Sequence, residues 1–329
     1  MSIPLTVITG FLGSGKTTLL KRLLADQDLS DTAVLINEFG EVGLDHLLVE
    51  DLAPNTVLLP NGCVCCSIRG DLKAALLNLE GRQRRGEWPV LRRVLLETTG
   101  LADPAPILAT LAKDANLRGH FHLGQMITLV DAEHAALQQR LHPEWLAQVA
   151  AADHLLISKD DRVDATVLAQ VQERLSRING GAPVQLARTL SGADPLLRSQ
   201  APRGEAIASE LARWTLFQPV DAHHHAEAQV CCLSFDAPLD WLTFGVWLSM
   251  LLRCHGERIL RVKGILEVIN SEHPIVIHGV QHCLHAPVHL ASWPAGPRTS
   301  RLVFIVRGVD TGLLRRSFAA FLGQPRVAA

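Results

Sequence analysis

The stretch that decides the fold of this chain is Gly10-Phe11-Leu12-Gly13-Ser14-Gly15-Lys16-Thr17-Thr18. It follows the apolar, β-branched run of residues 3–9 and leads into residues 19–24, whose leucines have helical spacing. A strand, a glycine-rich turn and a helix in this order are the setting of a phosphate-binding loop with the pattern G-x-x-x-x-G-K-[ST]. The stretch therefore predicts that the chain binds a nucleoside triphosphate.

The fixed positions of this loop have distinct chemical roles. Glycines let the backbone curl so that its N–H groups point inward at an anion, and the helix that follows adds its positive end. Lys16 is expected to reach the β and γ phosphates and to act in catalysis, and the Thr17 hydroxyl is expected to hold Mg2+. The predicted nucleotide-binding residues of the loop are Gly10, Gly13, Ser14, Gly15, Lys16, Thr17 and Thr18.

Composition bounds the class of protein. The 329 residues are 48% hydrophobic and 19% charged with a net charge of −2, so we expect two domains and no nucleic-acid partner. No apolar run is long enough to span a bilayer, and no secretory signal precedes the first strand, so we expect no membrane association. Seven cysteines, several of them adjacent, indicate thiols in a reducing cytoplasm rather than a disulfide framework.

Three thiols lie close together after a short predicted strand at residues 56–59. Cys63, Cys65 and Cys66 follow an Asn-Gly pair, and thiolates favour Zn(II), Cu(I) or Co(II) over Mg2+. Tetrahedral zinc needs a fourth ligand, which could be Glu38, a histidine or water. The alternatives to metal binding are that the thiols pack in the protein interior or form a redox disulfide.

Glu38 begins an acidic, glycine-containing segment, residues 38–45, which suits a nucleotide-sensing loop.

Glu97 ends another predicted strand, residues 90–97, and Thr98-Thr99-Gly100 follow it. A carboxylate at the carboxyl end of a strand on the edge of the phosphate loop can hold Mg2+ through water or orient the attacking water. Glu97 is therefore the second predicted catalytic residue. Gly100 would let a backbone N–H approach the γ-phosphate.

The predicted strand at residues 154–157 ends in Ser158-Lys159-Asp160-Asp161, which resembles the guanine-reading sequence N-K-x-D. The Asp161 carboxylate can accept from both N1–H and the 2-amino group of guanine, a pair of donors that adenine lacks. The stem of Lys159 would lie along the base. Ser158 replaces the usual asparagine, which keeps a hydroxyl but shortens the reach.

Alternating strands and helices through residue 187 predict an α/β domain, a parallel sheet with helices on both faces. Short helices and a linker are expected over residues 188–228, and a smaller α+β domain over residues 229–329. Within the linker, His223, His224 and His225 could bind metal weakly or stay solvated.

Four histidines of the C-terminal domain, His278, His282, His285 and His289, have spacings of four, three and four. The residues around His278 favour a strand over 275–284. On such a strand His278 and His282 stand about 13 Å apart and His285 points the other way, so we expect no preformed chelate from them.

Taken together, these motifs resemble the CobW-type metallochaperone GTPases, relatives of the nucleotide-binding proteins of urease and hydrogenase maturation. The resemblance rests on the phosphate loop, on the motifs that contain Glu38, Glu97 and Asp161, and on Gly62-Cys63-Val64-Cys65-Cys66. Arg261-Val262-Lys263-Gly264 and Trp293 resemble the family's C-terminal domain.

The resemblance implies a cytoplasmic GTPase that binds zinc or cobalt at Cys63, Cys65 and Cys66 and hands it to a client metalloprotein. The alternatives are a metal-binding or partner-binding switch with negligible intrinsic hydrolysis and a P-loop kinase for a small molecule. The sequence does not decide the metal, the client or whether the chain forms homo-oligomers.

Overall fold

The computed structural model describes residues 2–25, 31–37, 56–58, 67–87, 91–190, 228–293 and 298–323. The chain divides into two compact units, residues 1–175 with 182–199 and residues 176–181 with 200–329. No helix in the described ranges is both long enough and apolar enough to cross a membrane.

The first unit contains a parallel sheet. Its described strands are β1 (Ile3–Gly10), β2 (Thr32–Ile36), β3 (Thr56–Leu58), β4 (Arg93–Glu97), β5 (Phe121–Asp131), β6 (His154–Ser158) and β7 (Val184–Leu186). These seven strands, all within the described residues, pair in the order β3-β2-β4-β1-β5-β6-β7. The described helices are α1 (Lys16–Ala25), α2 (Ser67–Arg84), α3 (Ala105–Lys113), α4 (Ala115–Arg118), α5 (Ala135–Leu141), α6 (Pro143–Ala151) and α7 (Ala165–Ile178).

Helices cover both faces of this sheet, as the sequence predicts. Every residue of β1 from Leu5 onward is buried, and a strand buried on both faces needs a cover on each side. Ile8 on one face lies in a core cluster with Leu20 and Leu23 of α1. The predicted α/β fold is therefore confirmed.

The strand register gathers the predicted motifs at one edge of the sheet. Glu97 pairs with Ile8 of β1 and with Ile36 of β2, so β4 ends close to the loop that follows β1. Asp131, the last residue of β5, pairs with Ser158 at the end of β6. Asp131 was not among the site residues predicted from the sequence, although it ends the strand β5 at this edge of the sheet.

The second unit contains an antiparallel sheet with two described helices. The strands are β8 (Ala228–Phe235), β9 (Ile259–Leu266), β10 (Ile275–Val280), β11 (Cys283–Leu284), β12 (Val288–His289) and β13 (Ser300–Arg307), and the helices are α8 (Trp241–His255) and α9 (Thr311–Leu322). Aromatic side chains from both helices, Trp247 and Phe318, pack with Phe304 of β13 in its core. Cys231 lies in this core, whereas its neighbour Cys232 is partly exposed. The predicted α+β domain is confirmed.

A hairpin turn corrects one prediction in this unit. The strand expected over residues 275–284 stops at Val280, and the chain reverses at Gln281, which has a positive φ of 50°. The backbone N–H of His285 therefore donates to the carbonyl of His278 at 2.9 Å, and the two rings stack with centroids 4.7 Å apart. The expectation that His285 points away from His278 is wrong, because the turn reverses the strand direction and interrupts the alternation of faces.

Candidate functional site

The loop between β1 and α1 has the backbone of a phosphate cradle. Gly10, Gly13 and Gly15 have φ values of 143°, 71° and 90°, a region that residues with a side chain rarely adopt. A Cβ on Gly10 would also lie 2.4 Å from the carbonyl oxygen of Leu129. The loop therefore requires glycine at this position on two separate grounds.

Lys16 spans this loop with its side chain. Its ammonium donates to the carbonyl oxygens of Gly10 at 3.0 Å and Phe11 at 3.2 Å. The hydroxyl oxygen of Ser14 is buried and has no hydrogen-bonding partner within the described part of the chain. A buried cation and an unsatisfied hydroxyl within one loop are groups that a bound anion would satisfy.

Thr17 and Glu97 meet at the mouth of the loop. The Thr17 hydroxyl, in the first turn of α1, donates to Oε1 of Glu97 at 2.6 Å. Glu97 is only 5% exposed at the end of β4. Carboxylate and hydroxyl oxygens are the hard donors that Mg2+ prefers, so the residues present fit that ion.

The segment after β4 is fixed against the phosphate loop. Thr98 donates its hydroxyl to that of Thr9 at 2.8 Å. A Cβ on Gly100 would lie 2.5 Å from the backbone nitrogen of Leu12, so backbone meets backbone there. Gly100 therefore lies against the backbone of the phosphate loop. That its N–H approaches the γ-phosphate stays a prediction.

Gln148 of α6 is a site residue that the sequence analysis missed. Its amide nitrogen donates to the carbonyls of Gly100 at 3.1 Å and Ala102 at 3.0 Å, and the residue is fully buried. A glutamine within an apolar helix was the available signal, since a buried amide requires hydrogen-bonding partners.

The base-reading segment lies at the end of β6 and is tied to the phosphate loop. The Ser158 hydroxyl donates to the carbonyl of Ser14 at 2.7 Å, so the residue that replaces asparagine still reaches the loop. Lys159 follows with a left-handed backbone, and Asp161 lies in the 3-10 turn Asp160–Arg162. The Asp161 side chain is exposed, which leaves its carboxylate accessible to a ligand.

Asp131 is the second residue that the sequence analysis missed. Its Oδ2 accepts from the Lys159 ammonium at 2.6 Å and lies 3.0 Å from Nδ1 of His134. Burial alone would raise the pKa of Asp131, but the bonds from Lys159, His134 and the Glu133 N–H outweigh it and hold the pKa below its ordinary value. The carboxylate is therefore ionised at neutral pH.

The same residues form the one group of metal-ligand type found within the described residues, Asp131 with Glu133 and His134. The Lys159 ammonium lies against Oδ2 of Asp131, where a metal ion would have to bind. This cluster is accordingly an ion-pair network.

The residues of the predicted soft-metal site and the linker histidines lie outside the part of the chain that the structure describes. They are Cys63, Cys65 and Cys66, Glu38 with the rest of residues 38–45, and His223, His224 and His225.

A parallel sheet with a glycine-rich loop between β1 and α1 defines the class of P-loop nucleotide-binding proteins. Residues 4–185 match the CobW/HypB/UreG nucleotide-binding domain, and residues 228–322 match the cobalamin synthesis protein cobW C-terminal domain. The chain belongs to the CobW/HypB/UreG family, which confirms the resemblance drawn from the motifs.

Several relatives are similar to this chain over nearly their whole length. The zinc chaperone YjiA of Escherichia coli is 33% identical over 322 residues, which cover 96% of this chain and 98% of YjiA. The zinc chaperone CobW of a Sinorhizobium species is 26% identical, with 97% of each chain covered. The crystal structure of zinc-bound YjiA GTPase aligns with a TM-score of 0.68 at 29% identity, covering 98% of this chain and 99% of that one.

Proposed function

We propose that this protein is a GTP-hydrolysing metallochaperone that binds zinc, or alternatively cobalt, at Cys63, Cys65 and Cys66 and delivers it to a client protein under nucleotide control. The observation that carries the proposal is the similarity to the zinc chaperone YjiA along both domains. The chain also has the chemistry that this function requires, a phosphate loop for the nucleotide and three clustered thiols for the metal.

The nucleotide site supports hydrolysis through the placement of its side chains. Lys16 would move from the loop carbonyls to the phosphates and neutralise the charge that develops in the transition state. Thr17 and Glu97 would hold Mg2+, which would offset the negative charge of the phosphate groups. Alternatively, the buried Glu97 carboxylate would orient the attacking water, because its position at the end of β4 is fixed by the hydrogen bond from Thr17.

Guanine selectivity follows in this proposal from Asp161. Its exposed carboxylate would accept from N1–H and from the 2-amino group, and adenine cannot supply both donors. The bond from Ser158 to Ser14 would hold the base-reading segment at a fixed place relative to the phosphate loop.

Hydrolysis is tested with the purified protein and Mg2+, comparing GTP with ATP as substrate. We expect turnover with GTP, little with ATP, and loss of both nucleotide binding and turnover in Lys16→Ala. Turnover that persists in Lys16→Ala, or a preference for ATP, would overturn the GTPase assignment. Release of inorganic phosphate into water, with no phosphorylated small molecule, distinguishes the GTPase from a kinase.

Metal binding is tested by chelator competition for zinc in the presence of GDP and of a non-hydrolysable GTP analogue. We expect the two affinities to differ, and Cys65→Ala to weaken both strongly. Cys254→Ala is the matched control, because Cys254 is an exposed thiol outside the motif. Equal zinc affinities in the two nucleotide states would contradict nucleotide control. A zinc affinity of Cys65→Ala equal to that of the wild-type protein would contradict the thiolate site.

Delivery is tested by measuring turnover with and without candidate client apoproteins. A client that accelerates hydrolysis and gains metal supports the chaperone proposal. Hydrolysis that is negligible until a partner binds, with no metal transferred, would favour the switch instead.

A further inference from the structure

Asp131 forms an ion pair with Lys159 at the ends of neighbouring strands. Asp131 pairs with Ser158 in the β5–β6 register, so its carboxylate lies beside the first residue of the segment that follows β6. Oδ2 accepts from the Lys159 ammonium at 2.6 Å, and the Asp131 side chain is 2% exposed while that of Lys159 is 25% exposed.

Lys159 has an unusual backbone conformation. Its φ of 55° and ψ of 29° are left-handed, a conformation that is unfavourable for a residue with a side chain. Such a conformation persists only where surrounding contacts hold it. The Arg162 N–H donates to the Lys159 carbonyl at 3.0 Å and closes the 3-10 turn that carries Asp161. The orientation of the turn that carries Asp161 thus depends on the backbone conformation of Lys159.

Asp131 is itself held firmly, so it can act as an anchor. Its second oxygen, Oδ1, accepts from the backbone N–H of Glu133 at 2.9 Å. The N–H of Ala132 donates to the Ser158 carbonyl at 3.0 Å, which continues the pairing of the two strands past their ends. A buried, preorganised carboxylate binds an ammonium more tightly than an exposed pair does, because less side-chain freedom is lost and water competes less.

We propose that Asp131 is a positioning residue for base recognition, which holds Lys159 in its left-handed turn and thereby sets Asp161 to read guanine. The inference rests on the proposed function, because it assumes that Asp161 accepts from the guanine edge. It assigns to Asp131 a part in specificity, although Asp131 does not contact the base.

The test is a double-mutant cycle read out as discrimination between GDP and IDP, whose hypoxanthine base lacks the 2-amino group. The variants are Asp131→Asn, Lys159→Met and the pair combined. Asparagine keeps the Oδ1 acceptor for the Glu133 N–H and removes the charge that holds Lys159. Methionine keeps most of the stem of Lys159 and removes its ammonium.

Discrimination is the Kd for IDP divided by the Kd for GDP. We expect each single substitution to lower this ratio about tenfold. The double substitution should lower it no further, because both changes break the same interaction. Asp114→Asn is the matched control: Asp114 also pairs with a lysine at 2.6 Å, Lys73, and also accepts from backbone N–H groups. It should leave the ratio unchanged.

Two results would overturn the proposal. In the first, Asp131→Asn weakens GDP and IDP equally, with or without a fall in Tm, which is the signature of a merely structural role. In the second, the effects of the two substitutions add in the double variant. Failure of the proposed function is distinct, because the wild-type protein would then show no preference for GDP over ADP.

Discussion

The hydroxyl of Thr17 donates a 2.6 Å hydrogen bond to Oε1 of Glu97, which joins the first turn of α1 to the end of β4. Eighty positions of sequence separate the two residues, and parallel pairing of β1 with β4 brings them together. The contact puts a carboxylate, a hydroxyl and the ammonium-bearing loop at one edge of the sheet. The proposed phosphoryl-transfer chemistry depends on this contact.

The Glu97 carboxylate is expected to be needed for turnover more than for nucleotide binding. Glu97→Gln should lower kcat for GTP about 100-fold, because the amide cannot orient water or hold Mg2+ as a carboxylate does. Affinity for GDP without Mg2+ should change little. Phosphate release measures the first quantity and equilibrium titration the second. Glu87→Gln, which alters an exposed carboxylate paired with Arg85, is the control, and equal turnover in both variants would contradict the role.

Gly100 is expected to tolerate no side chain. Gly100→Ala would place a Cβ 2.5 Å from the Leu12 nitrogen, so either the phosphate loop or the segment after β4 must shift. We expect a loss of about 1–3 kcal/mol in the free energy of unfolding and weaker GDP binding. Gly119→Ala is the matched control, because a Cβ built there meets no atom within 4 Å outside its neighbouring stretch of chain. Denaturant unfolding with and without GDP measures both effects, and equal behaviour of the two variants would refute the steric argument.

The ion pair of Asp131 should make stability depend on pH in the acid range. The folded state holds the pKa of Asp131 below its ordinary value, so the unfolded chain binds the proton more readily. The stabilisation is therefore present above about pH 4, the ordinary carboxyl pKa, and is lost as pH falls from there through the folded pKa. The free energies of unfolding of the wild-type protein and Asp131→Asn should therefore converge as the pH is lowered from 6 to 3. A difference between the two free energies that stays constant over this range would contradict the lowered pKa of Asp131.

The thiols of the C-terminal unit should differ in reactivity. Burial raises the pKa of Cys231 to about 11, and the thiolate is the reactive form, so Cys231 should resist alkylation at pH 8 in the folded protein. Cys254 is exposed and should react. Mass mapping after a short pulse of iodoacetamide distinguishes them. Labelling of Cys231 as fast as that of Cys254 would show that the strand β8 opens readily.

Much of the architecture could be predicted from the sequence because patterns among neighbouring residues specify it. The helix α9, residues 311–322, is delimited by local signals in the sequence, since Asp310 caps it and Gly323 follows it in a left-handed conformation. The phosphate loop is equally local: its glycines, Lys16 and Thr17 are contiguous, and each is required by backbone conformation or by charge.

The contacts that join the motifs were not predictable in the same way. From the sequence, Lys159 is expected along the base but without a partner, because Asp131 lies 28 positions earlier and is brought alongside by the β5–β6 register. The position of His285 relative to His278 was predicted wrongly, because a turn at Gln281 reverses the chain.

The sequence by itself determined the loop that binds phosphate, the order of strands and helices, and the family to which the chain belongs. Only the tertiary structure decided that Ser158 donates to Ser14, that Gln148 holds the carbonyl of Gly100, and that Asp131 holds Lys159. The physical reason is range. Backbone preference and hydrophobic period act over a few residues, whereas these hydrogen bonds depend on which strand ends become neighbours, and strand pairing across the whole sheet fixes that.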